Sequence, residues 1–162
     1  MPTSGHPVIW LRRGMAALLM LGMLPVAAQG PVQTKRVLVA TEASSFKDAV
    51  VVQLAETLRN DGHAVDIIGL DFLGAQTIGD FQAIVLVNSC RAWRPSSVVR
   101  DFLKKLSDAD KKKLVVLTTA NSGECNLKVD GVDAISAASK RTGMAAVSQT
   151  VVDMVRTRLT AP

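Results

Sequence analysis

Ala83 to Val87, AIVLV, is an unbroken apolar run without the alternation of a half-exposed strand. A strand of that kind must be covered on both faces, which is the condition inside a parallel sheet flanked by helices. Val37–Ala40, Val65–Leu70 and Leu114–Thr118 read as further strands, and Val132–Ser136 as a short fifth. Between them the apolar period changes to that of a helix. Phe46, Val50, Leu54 and Leu58, widened by Ala49, Val51 and Ala55, form one stripe that stops at Asn60-Asp61-Gly62, where glycine can take a left-handed cap. Pro95 is expected to open a second helix with Val98, Val99, Phe102, Leu103 and Leu106 inward and Arg100, Lys104 and Lys105 outward. Thr142 is expected to cap the last, with Met144, Val147, Val151, Met154, Val155 and Leu159 on its buried side. Asp71–Phe81 reads as a short connection in which Leu73 and Ile78 can pack, and Ala120–Gly131 as a loop.

Strands alternating with helices predict an α/β three-layer sandwich, a five-stranded parallel sheet with right-handed crossovers. The expected strand order is 2-1-3-4-5, with a ligand crevice at the carboxyl ends of the strands.

Ahead of this domain, assigned to residues 35–160, lies a segment of another kind. Arg12-Arg13, an apolar run from Met15 to Leu24, Pro25 and the small residues Val26-Ala27-Ala28 describe a secretory signal peptide over residues 1–28, cut after Ala28. Residues 29–34 read as a short leader. The run is well short of the roughly 20 residues a membrane span needs, so no stable span is expected after cleavage. Export to the periplasm or the outside of the cell follows. The arginine pair leaves the twin-arginine route open beside the general one, although its flanks fit that route poorly. The formal net charge of +5 includes those two arginines, and aromatics make up only 4% of the chain. Nucleic-acid binding, which wants basic residues interleaved with aromatics, is not expected.

The chemistry gathers in Arg36–Lys47, RVLVATEASSFK: a strand, a hydroxyl-bearing turn, a helix start. In a parallel α/β sheet such a junction holds phosphate through backbone N–H groups, hydroxyls and the helix dipole. Thr41, Ser44 and Ser45 supply the hydroxyls, but Glu42 and Ala43 stand where glycine would ease a close approach. Lys47 either offsets Glu42 or is a surface charge.

Over roughly Lys35–Leu159 the chain resembles the flavodoxin-like family. The resemblance rests on Val37-Leu38-Val39-Ala40-Thr41 with the helix from Phe46, and on Phe81–Val87 with its aromatic-bearing loop, Pro95 and the helix ending Phe102-Leu103-Lys104-Lys105-Leu106. It implies FMN, with phosphate at Thr41–Phe46 and the ring between Asn88–Arg94 and Thr119–Cys125. On that mapping Thr41, Ser44, Ser45 and Phe46 surround the phosphate, Trp93 covers the ring, and Asn88 and Asn121 reach its edge, with Cys90 and Thr119 beside them. The turn is a degenerate version of the family's: it lacks glycine, and Phe46 replaces a closing threonine. The chain has no tyrosine, so only Trp93 is placed to stack.

Cys90 follows the third strand and Cys125 the fourth, at the same end of neighbouring strands. A disulfide fits that placement, which needs Cα atoms within about 7 Å; unpaired structural thiols and a redox-active pair are the other readings. Asp133–Ser139 is similar in part to the motif at which exported flavoproteins receive FMN covalently, with Ser139 at the acceptor position, although a plain strand-to-turn segment describes it better. A phosphorylated receiver is excluded, because Thr41-Glu42 and Asn88 replace the acids its chemistry requires. His6 and His63 are the only histidines, which leaves no Ser–His triad and no histidine-containing metal site. No catalytic residue is assigned. Two functions remain: an exported FMN protein passing electrons to a redox partner protein, or a cofactor-free binding or structural module with a Cys90–Cys125 bridge.

Overall fold

A computed structural model describes residues 34–121, 125 and 128–161. The signal peptide, almost all of the leader and residues 122–124 of the Thr119–Cys125 loop lie outside the described residues. The first strand is β1 (Arg36–Thr41), followed by α1 (Ser45–Asn60), β2 (Ala64–Gly69) and β3 (Ala83–Arg91). The short β4 (Arg94–Pro95) leads to α2 (Ser97–Lys105), α3 (Asp108–Lys111) and β5 (Leu114–Ala120). The chain ends with β6 (Asp133–Ala138) and α4 (Met144–Thr160).

Five strands pair in parallel in the order β2-β1-β3-β5-β6. This is the anticipated 2-1-3-4-5 arrangement with one addition: β4 folds back antiparallel on the end of β3, Cys90 opposite Pro95 and Arg91 opposite Arg94. The pleat divides the core in two. Val37, Val39, Val85, Val87, Val115 and Leu117 face α1 and α4. Their sequence neighbours Leu38, Ala40, Ile84, Leu86, Leu114 and Val116 face α2 and two 3-10 segments, Leu70–Ala75 and Ile78–Asp80. The second layer is the thinner one. Its 3-10 segments anchor through Leu70 and Leu73 in place of a full helix.

Local chemistry explains the element ends. The side chain of Ser44, in extended backbone, accepts the Lys47 N–H at 3.2 Å and starts α1. At the other end Gly62 has φ of 88°, and the His63 N–H donates to the Leu58 carbonyl at 3.0 Å, closing the helix.

Three details differ from the sequence reading. Pro95 does not open α2: it is buried in β4, and Ser96 is the cap, its hydroxyl accepting the Val99 N–H. Val98 consequently turns outward, 39% exposed, while Val99 and Leu103 are buried. Thr142 lies in a 3-10 turn, Arg141–Gly143, and α4 starts from Gly143 without a side-chain cap. No helix among the described residues is long and apolar enough to cross a membrane.

Candidate functional site

The strand order reverses between β1 and β3, and a crevice opens at the carboxyl ends of the neighbouring strands there. It encloses about 540 Å³, within the range of small-molecule sites. Ser44, Ser45, Phe46 and Lys47 from the start of α1 form one wall. Ser89, Cys90, Ala92 and Trp93, from the end of β3 and its hairpin, form the second. Thr119, Ala120 and Asn121 at the end of β5, with Ser139 beyond β6, complete it.

Seven of the nine residues proposed from sequence therefore meet in one cavity: Ser44, Ser45, Phe46, Cys90, Trp93, Thr119 and Asn121. Thr41 and Asn88 lie outside its lining. The Thr41 hydroxyl donates to the Glu42 carbonyl at 3.1 Å. Asn88 is fully buried: its Nδ2 donates to the Leu117 carbonyl and Thr118 Oγ1, and its Oδ1 accepts the Ser96 N–H at 3.0 Å. It ties β3, β5 and the entry to α2 together, and so supports the wall.

Lys47 is the residue whose place sequence reasoning left open. It is 4% exposed. Its ammonium donates to Ser89 Oγ at 2.6 Å and lies 3.4 Å from Glu42 Oε2, which also accepts the Ser89 N–H at 3.0 Å. The Glu42 N–H donates to the Val87 carbonyl, fastening the turn to β3. The carboxylate that would repel an incoming dianion is therefore offset by a cation within the same wall. Ser89 joins the network through both its backbone and its hydroxyl. Its signal in the sequence was no more than a polar pair, Asn88-Ser89, following the apolar run of the strand.

Trp93 is presented by an unusual hairpin. With Arg91 paired to Arg94, the loop has two residues, Ala92 and Trp93, at φ of 48° and 64°. Two-residue loops with positive φ at both positions strongly prefer Asn-Gly, because a β-carbon is strained there. The side chain held in this conformation is 69% exposed and borders the cavity. Beside it the Cys90–Cys125 disulfide is formed, with Cα atoms 6.0 Å apart. The Ser136 hydroxyl donates to the Cys125 carbonyl at 2.6 Å and holds the far end.

A parallel sheet in this order is the flavodoxin-like fold. Solved structures agree. A flavodoxin from the domain Archaea superposes with a TM-score of 0.51 at 9% identity, over 76% of this chain and 98% of that one. Flavodoxin 2 from Bacillus cereus gives 0.53 at 13% identity, over 75% and 99%. A flavo di-iron protein from Thermotoga maritima gives 0.54 at 12% identity, over 77% of this chain but only 36% of that one. At such identities the likeness is one of fold. No protein-family model matches the chain, and no curated protein sequence matches it.

Proposed function

We propose that the crevice binds FMN non-covalently and that the protein carries electrons between the flavin and a partner protein. The observation that carries this reading is the meeting of two unlike features on one cavity: the hydroxyl-bearing start of the 16-residue helix α1 and the exposed ring of Trp93. An anion is favoured at a helix N-terminus, where the first N–H groups have no partner within the helix. Ser44 and Ser45 would hold the phosphate with those N–H groups, and the Glu42–Lys47 pair keeps the turn near neutrality. Trp93 would cover the ring, with Thr119 and Asn121 at its edge. The bound flavin supplies the redox chemistry; the chain binds it, orients it and leaves Trp93 open to a partner.

Export is part of the proposal. The disulfide is of the kind that persists in oxidising compartments, and a mature chain starting at Gln29 would be seen by N-terminal sequencing. The cofactor-free module draws support from one feature: the Ser44 hydroxyl is already engaged in capping α1.

The two readings separate in a fluorescence titration. In a Trp10→Phe background Trp93 is the sole tryptophan, and FMN binding should quench it. Ser44→Glu should weaken that binding at least tenfold, the effect of a negative charge beside a phosphate. Unquenched emission at saturating FMN would leave the cofactor-free module.

A further inference from the structure

The Cys90–Cys125 bridge stands in the wall of the crevice. Cys90 is part of the lining, between Ser89 and the Trp93 hairpin, whereas Cys125 is 8% exposed and outside it. Of the two cysteines, Cys90 is therefore the one that borders the cavity. A purely structural staple has no need of this location, and a domain with both faces of its sheet packed does not depend on one as very small scaffolds do.

The strained residues Ala92 and Trp93 start two positions after Cys90. The bridge thus stands at the root of the one non-glycine segment, among the described residues, held in a disfavoured backbone region.

We propose that this bridge is a second redox centre of the crevice, reduced by a dihydroflavin bound beside it. The inference rests on the FMN reading above. The Cys90–Cys125 S–S bond breaks, and each sulfur gains one electron and one proton, giving two thiols. The dihydroflavin gives up the same two electrons and two protons and is oxidised. Cys90 is the sulfur approached, and Cys125 leaves.

The test uses the full chain reconstituted with FMN, freed of excess flavin by gel filtration, and reduced anaerobically with limiting dithionite. Thiols are counted by maleimide alkylation and intact mass. The loaded protein should consume two equivalents of dithionite and gain two maleimides, whereas protein without flavin, treated for the same time, should gain none. A Cys90→Ser/Cys125→Ser variant that binds FMN should consume one equivalent. Flavin that bleaches after one equivalent with no thiol alkylated would overturn the proposal and leave FMN binding intact. Gain of thiols at the same rate with and without flavin would also overturn it. Absence of flavin after gel filtration would overturn both readings together.

Discussion

The Glu42–Lys47 pair at the crevice wall allows a sharp test of which charge is in danger. Glu42 Oε2 and Lys47 Nζ are 3.4 Å apart, with side chains 24% and 5% exposed. At an effective dielectric constant of about 20 such charges attract by roughly 5 kcal/mol, most of which is spent on removing them from water. Glu42→Gln would leave an ammonium almost out of reach of water with only neutral partners, Ser89 Oγ and the amide oxygen introduced at position 42; the cost should be about 3 kcal/mol. Lys47→Met removes the buried charge instead. Glu42 keeps some water and the Ser89 N–H, so about 1 kcal/mol is expected. In the double variant the side-chain amide introduced at position 42 can still accept that N–H while no charge is buried, and the loss should stay near 1 kcal/mol. The second substitution thus rescues the first. Urea unfolding of the four proteins, followed by circular dichroism at 222 nm, measures the cycle. Equal costs for the two single variants, or costs that simply add, would refute the assignment of Lys47 as the endangered charge.

Other expectations follow from the same geometry. Ala92→Asn places a residue tolerant of left-handed backbone where Ala92 has φ of 48° in an exposed loop; it should raise stability by about 1 kcal/mol, read as a higher urea midpoint at unchanged slope. Asn88→Ala should lower stability by about 3 kcal/mol, since it strips the Ser96 N–H, the Leu117 carbonyl and Thr118 of a buried partner. A loss below about 1 kcal/mol would mean that water replaces it.

The strands were legible because both faces of the sheet are packed. Val37–Ala40, Ala83–Val87 and Leu114–Thr118 carry that double burial in their composition, and the strand order follows from chain alternation and handedness. Pro95 was misplaced for a physical reason. A proline before a helical stripe reads as a helix start, and the hairpin that claims it uses Ala92-Trp93 where a turn signal would be Asn-Gly. Thr142 misled in the same way, a good capping side chain one residue too early for the path of the 3-10 turn. In the site, Ser44, Ser45 and Trp93 announced themselves by residue type and position. Lys47 did not. Its ammonium is held by Ser89 on β3, more than forty residues along the chain from α1, and no local pattern encodes that meeting.

The register of the sheet has a consequence for how the protein acquires its crevice in time. Every pair in the parallel sheet joins distant parts of the chain, Val37 beside Ala83 and Ile84 beside Leu114. Closing such loops precedes any gain from the contacts, so folding is slower than for a helical protein of this size. The cavity walls come from the start of α1, the ends of β3 and β5 and Ser139 beyond β6, so no early fragment contains them all. A ligand of the crevice would find its site only after the last of these elements has docked. It therefore acts as a lock on the finished state, slowing escape from it without hastening arrival.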